Sequence, residues 1–383
     1  MSLDAFSDVM DGLRPLSRVE HPREIIRQFA PNWFAATMGT GILALVLPQV
    51  PAIGPSLCGV GQALWMANIA LFAVFSMLYA ARWTLFPHEA RQVFGHSVVS
   101  MFFGTIPMGL ATIINGFVVF GLPLFGDRAI AIAAALWLAD AAMSLACGVA
   151  IPYLMFTRQE HNIDQMSAVW LLPVVAAEVA AASGGILAPH LASASTQFAV
   201  LSASYALWAY SVPVAFGILS ILVLRMALHK LPHSSMAASS WLALGPIGTG
   251  ALGLLVLGGD APAVFAAHGL ASVGAVAQGV GVIGGLALWG FGLWWMLLAV
   301  MITVRYFREG VPFNLGWWGY TFPLGVYTAA TLKLGSSLDL AFFAAVGALL
   351  ATALAAAWTV VATLTIHGGW KGHLFMPSIA SRG

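Results

Sequence analysis

The chain has 383 residues, 60% of them hydrophobic and only 8% charged, against about 25% charged in a soluble globular domain, so lipid must be the outer solvent for most of it. A net charge of +1 gives no bulk field to hold a nucleic acid or another polyanion. Cys58 and Cys147 sit in no CxxC or Cys/His ligand spacing, which supports neither a metal site nor a disulfide framework.

Residues 1–28 form a polar tail broken by Pro15 and Pro22, without the short apolar core of a signal peptide. A membrane-spanning helix needs about 20 mostly apolar residues. Ten stretches qualify: 31–48, 60–81, 96–120, 130–151, 166–188, 198–224, 239–258, 280–304, 314–335 and 340–364. The link 259–279 is apolar and Gly/Ala-rich, with room for a short re-entrant or interfacial helix. The reading is an all-α integral membrane domain over 29–366, with a second tail at 367–383. If both termini are cytoplasmic, all of the 15 Lys and Arg except Arg128 and Lys333 fall on the inner side, the asymmetry of the positive-inside rule.

The odd spans share a feature. Pro107, Pro173, Pro246 and Pro323 lie inside spans 3, 5, 7 and 9, each followed by small residues, and span 1 carries Met38-Gly39-Thr40-Gly41 at comparable depth. The even spans are plainer, Pro213 in span 6 being the exception. An interior proline removes a backbone hydrogen bond and kinks the helix, and the freed carbonyl needs a partner that lipid cannot supply. The alternation therefore predicts five hairpins, with an inner ring of kinked helices around an axis and an outer ring against lipid. Prolines are also common in membrane helices generally.

Charged residues inside spans are expensive, so each is a candidate. Glu178 lies five residues past Pro173, Asp140 in mid-span 4, and Lys333 near the outer end of span 9. Lys333 either snorkels to the interface or raises the local anion concentration at a pore mouth. Asp140 reads as a structural hydrogen-bonding group. An ionised Glu178 would repel an anion, so it is protonated or paired, and it is a candidate for proton coupling. The threonines Thr37, Thr40, Thr105, Thr112, Thr249, Thr321, Thr328 and Thr331 and Ser183 either solvate an anion at helix breaks or bond between helices. No histidine is in mid-span, which disfavours a haem subunit, and no cofactor motif appears. Gly39 and Gly41 have no strand–turn–helix setting and are not a nucleotide loop. Trp33, Trp83, Trp241, Trp317, Trp318 and Trp370 near span ends read as an interfacial belt.

Two segments, PNWFAATMGTGILAL at 31–45 and FNLGWWGYTFPLGVYTAAT at 313–331, resemble the tellurite-resistance/C4-dicarboxylate transporter family. That family includes malate permeases, sulfite efflux pumps and slow-type anion channels. MSAVWLLPVVAAEVAAASGGILA at 166–188 and WLALGPIGTGALG at 241–253 are similar too, the latter most to the sulfite pumps. The resemblance runs from about 22 to 366. It implies five hairpins in quasi-fivefold symmetry, a central pore lined by the odd helices, a homotrimer with one pore per subunit, and a phenylalanine of the ninth helix occluding the pore. Phe322, just before Pro323, matches that position. The sequence lacks the long, phosphorylatable tails of the plant channels, which speaks against kinase-dependent opening.

The expected function is movement of a small anion across the inner membrane through a pore gated at Phe322. Gly39, Thr40, Gly41, Glu178, Thr249 and Lys333 are the pore-lining candidates. A sulfite-like oxyanion, a C4-dicarboxylate such as malate, and chloride or nitrate are the substrate choices, with tellurite resistance a side effect of permeation. The competing readings are a membrane-embedded redox or enzyme subunit, and a non-conducting sensor.

Overall fold

The structure, a computed structural model, describes residues 21–375 together with Leu16 and Val19. Arg14, Arg18 and Arg382, which enter the charge asymmetry, lie outside the described residues, as do parts of both tails. The described residues are helical, with no strand among them. Ten principal helices occur: α1 Ala35–Val46, α2 Gly54–Leu85, α3 Thr105–Gly116, α4 Asp127–Thr157, α5 Leu172–Leu187, α6 Ala194–His229, α7 Leu244–Ala266, α8 Ala271–Glu309, α9 Phe322–Leu338 and α10 Ala341–Lys371. Among the described residues, eight helical stretches are long and apolar enough to cross a membrane. The shorter α1 and α9, laced with Gly and Thr, coincide with the first and ninth predicted spans.

Burial alternates along the chain. In the apolar stretches that contain α3, α5 and α7, 61% to 94% of residues are buried, and in those that contain the five even helices only 17% to 33%. Every residue of α1 is buried, as is α9 from Phe322 to Leu332. Contacts explain the pattern. The odd helices form a closed ring in which α1 touches α3, α3 touches α5, α5 touches α7, α7 touches α9, and α9 returns to α1. Each even helix packs against the odd helix before it and the one after it, α10 lying on α9 and α1. The even helices are apolar all round, with one side against the inner ring and the other on the outside of the bundle, as suits a surface in an apolar solvent.

Glycine sets how closely the ring closes. A Cβ on Gly41 would strike Thr112 of α3, and one on Gly104 the backbone at Leu172. A Cβ on Gly185 would strike Val256, one on Gly248 the backbone at Tyr327, and one on Gly325 Ile42. One such close approach therefore stands at each of the five joints. A second repeat ties the two rings together. Each outer helix carries one tryptophan whose indole N–H donates to the next inner helix: Trp65 to the Ile113 carbonyl at 3.2 Å, Trp137 to Ala180 at 2.9 Å, Trp208 to Gly250 at 3.0 Å, Trp289 to Thr331 Oγ1 at 2.9 Å, and Trp358 to Thr40 Oγ1 at 3.0 Å.

Two expectations are corrected. The stretch 259–279 holds no separate re-entrant helix. Its residues extend α7 to Ala266 and α8 back to Ala271, leaving only a short turn between them. Small residues permit this, because Gly258, Gly274 and Gly281 bring the α7 and α8 backbones into contact. The prolines also sit near the start of their main helices rather than well inside them. Short helical turns at Val99–Gly104, Ala168–Leu171, Ser239–Leu242 and Leu315–Tyr320 precede the main helices, and Pro107, Pro173, Pro246 and Pro323 are the second or third residue of those helices. A first-turn N–H has no intrahelical partner, so proline there forfeits nothing. Each proline marks where a lead-in turn passes into the main helix.

Trp137→Phe, which keeps the ring and removes the donor, is expected to cost about 0.5–1.5 kcal/mol. Gly116→Val, which drives a side chain into the Trp65 indole, is expected to cost roughly 1–3 kcal/mol. Thermal unfolding in detergent measures both, and an unchanged midpoint for Gly116→Val would contradict the close seating of α2 on α3.

Candidate functional site

The five lead-in turns, counting Pro31–Phe34 before α1, converge on one cavity of about 240 Å³. Each contributes to its wall, through Asn32, Phe102, Val169, Ser239 and Leu315. The polar groups at its surface among the described residues are the amides of Asn32 and Asn314 and the hydroxyls of Ser235 and Ser239, with no Lys or Arg among them. Met38, Leu172 and Leu242 line this cavity and also a second void of about 10 Å³ deeper along the axis. The deeper void is walled by Met38 of α1, Met108 of α3, Leu172 and Val175 of α5, Gly245 of α7, and Phe322 and Pro323 of α9, so all five inner helices meet there. A void of that size is at the limit for one water, for which roughly 10–15 Å³ is required. It holds no oxyanion.

Phe322 is the first residue of α9 and is 3% exposed. Its place is set from both sides. Thr321 donates its hydroxyl to the Trp318 carbonyl at 2.7 Å, Trp318 is itself tied to Thr365 of α10 at 3.1 Å, and Pro323 fixes the backbone that follows. The ring thus stands on a rigid junction, level with the junctions of the other inner helices.

The remaining candidates fall elsewhere. Gly39 faces Trp318 and Thr321, Gly41 faces Thr112 and Asn68, and Thr40 accepts the Trp358 indole. Thr249 lies four residues past Gly245, is 1% exposed, and its hydroxyl has no partner among the described residues. Glu178 lies three residues past Val175, is fully buried, and neither carboxyl oxygen is partnered. Asp140 of α4 is in the same condition, so it makes none of the interhelical bonds expected of it. Lys333 is half-buried and is not alone at its end of the ring. It acts electrostatically on Asp260 of α7, as does His190.

Most of the threonines serve their own helices. Thr37, Thr105, Thr112, Thr321, Thr328 and Thr331 donate to carbonyls three or four residues back, each at 2.7 Å. Sequence reasoning missed Met38, Met108, Val175 and Leu242 at the constriction. The available signal was the proline, since Met108 follows Pro107 as Phe322 precedes Pro323. It also missed Asp260, which the assignment of 259–279 to a link had removed from the membrane.

A family of voltage-dependent anion channels, SLAC1, matches residues 28–366. A sulfite efflux pump of Arthroderma otae is 36% identical over 91% of this chain and 93% of its own length. An uncharacterised transporter of Methanocaldococcus jannaschii is 28% identical over 94% and 99%. A malic acid transport protein of Schizosaccharomyces pombe is 23% identical over 92% and 81%. The chain belongs to the voltage-dependent anion channel family. It is a membrane protein that transports anions, and this family and these relatives are channels and transporters rather than enzymes. The resemblance drawn from its motifs agrees with the SLAC1 match.

In a SLAC1-family chain with Cys58 and Cys147 replaced, Ser239→Cys is expected to react readily with a small charged thiol reagent applied from the side where the inner helices begin. Thr249→Cys is expected to react at least roughly tenfold more slowly, and to catch up when Phe322→Ala opens the hydrophobic constriction. Equal labelling of both cysteines with Phe322 intact would show that the narrow void is not a barrier.

Proposed function

We propose that the protein is a conduit for a small inorganic oxyanion of the sulfite type, running along the axis of the inner ring and occluded by Phe322. One observation carries this reading: all five inner helices place side chains around a single constriction that contains Phe322. The five N-terminal helix ends at the wider cavity support an anionic cargo, since each carries a partial positive charge of about half a unit. The cavity attracts an anion with no basic side chain in its wall.

A C4-dicarboxylate would call for two matched cations or donor sets along the path, and Lys333 has Asp260 within its electrostatic reach. The higher identity to the sulfite pump than to the malic acid transporter points the same way.

The reading extends to topology. All ten helices cross the inner membrane as five hairpins in quasi-fivefold symmetry, 29–366 is the membrane domain, and both termini are cytoplasmic. The recurring glycine joints and tryptophan donors support the fivefold part. The connections after α2, α4 and α6 carry Arg91, Arg158 and Lys230, and the last turn of α8 carries Arg308, which supports the orientation. The lipid-facing even helices leave apolar surface for a homotrimer contact.

Anion flux into proteoliposomes tests the conduit, comparing the native protein with Phe322→Ala across chloride, nitrate, sulfite and malate. The variant is expected to conduct on the order of tenfold faster or more, with sulfite ahead of malate, because a hydrophobic plug is removed. Equal silence of both proteins to every anion would refute the gate.

A further inference from the structure

We propose that Glu178 is a proton-binding site on the conduit, and that the anion passes the constriction readily only when this carboxyl is protonated. The inference rests on the conduit reading above. Glu178 lies on an inner helix, three residues and so about one turn beyond Val175, which walls the narrow void. It is fully buried, and neither oxygen has a hydrogen-bond partner among the described residues.

Its surroundings suit one protonation state. The Ser211 hydroxyl of α6 stands beside it, but that hydroxyl already donates to the Val174 carbonyl at 2.8 Å. A hydroxyl has one proton to give, and Ser211 gives it to Val174, so no donor reaches either Glu178 oxygen among the described residues.

No cation compensates the ionised form. The helices packed on α5 are α3, α4, α6 and α7. Their buried or half-buried titratable side chains are Asp140 and Cys147 on α4, Tyr205, Tyr210 and Arg225 on α6, and Asp260 on α7, with none on α3; Arg225 lies about four helical turns from Ser211, where it donates to the carbonyls of Lys230 and Asp164. None of these acts on Glu178; Ser211 is the side chain that does. Thr249 on the neighbouring α7 adds a second unpartnered polar group one turn beyond Gly245. The stretch past the constriction is therefore polar, uncharged when Glu178 is neutral, and negative when it is ionised. A like charge about 10 Å from the path, at an effective dielectric constant of about 20, slows an anion on the order of tenfold. Water and the anion share the same axis, so the proton reaches the carboxyl by the conduit itself.

The test is sulfate-balanced proteoliposome flux of chloride and nitrate, whose charge does not change with pH, between about pH 5 and pH 9. The native protein and Phe322→Ala are expected to slow roughly tenfold as pH rises. Glu178→Gln, in either background, is expected to stay at the fast low-pH rate throughout. Asp140→Asn, equally buried but on an outer helix, is expected to keep the native pH dependence. Flux that is independent of pH in the native background, with Phe322→Ala conducting, would overturn the proton site and leave the conduit standing. So would a pH dependence that survives in Glu178→Gln or vanishes in Asp140→Asn. If Phe322→Ala conducts no anion at any pH, the conduit reading fails and this inference falls with it. Should Glu178→Gln not fold, Glu178→Ala in the Phe322→Ala background decides: its flux is expected to be independent of pH, and a pH dependence that survives there would overturn the proposal.

Discussion

In a membrane interior no water is at hand, so each polar hydrogen has to find its acceptor within the protein. That constraint organises this chain. Five indole N–H groups answer it by reaching from the outer ring to the inner one. The threonine hydroxyls answer it locally, by returning to their own helices. Arg82, buried near the end of α2, answers it by donating to the carbonyls of Phe29 and Glu89, which fastens the adjoining segments at that end of the ring. Because the rule is met so widely, its exceptions are informative. Glu178, Asp140, Ser144, Ser183 and Thr249 are among the buried side chains left without partners in the described residues, and a buried unpaired polar group costs about 1–3 kcal/mol. Glu178 and Thr249 lie one turn beyond residues that wall the constriction.

The same economy explains the ring. Five helices enclosing an axis leave a wide lumen unless their backbones approach closely, and glycine at each joint permits that approach. The closeness is what allows four or five apolar side chains to shut the axis almost completely. Placing the lead-in turns on one side of that level opens a cavity there instead. Constriction and cavity are thus two consequences of one packing arrangement, with the prolines marking the boundary between them.

Much of this was legible in the sequence, because apolar runs and Lys/Arg asymmetry report directly on lipid contact. Inner and outer rings could be told apart by Pro107, Pro173, Pro246 and Pro323. The link 259–279 was misread because Gly and Ala lower the apolar signal while favouring close α7–α8 packing. Tryptophans near span ends suggested an interfacial belt, and that habit of reading concealed Trp65, Trp137, Trp208, Trp289 and Trp358 as a repeat with a bonding role. Met38, Met108 and Val175 looked like any core residue. Only the closing of the ring, which no local pattern encodes, turns them toward the axis.

The two ends of the ring differ in how they carry charge. Where the inner helices begin, positive potential comes from the backbone and is spread over five helix ends, each worth about half a unit charge. Such a field cannot be titrated away, and it binds no anion tightly enough to hold it. Where they end, Asp260 stands in the field of Lys333 and His190, so an acid accompanies the cation there. A conduit needs entry to be favourable and exit easy. Diffuse attraction at one mouth and a weaker net charge at the other meet both needs, and in a conduit the buried carboxyl one turn past the constriction is then a group whose charge would change the barrier.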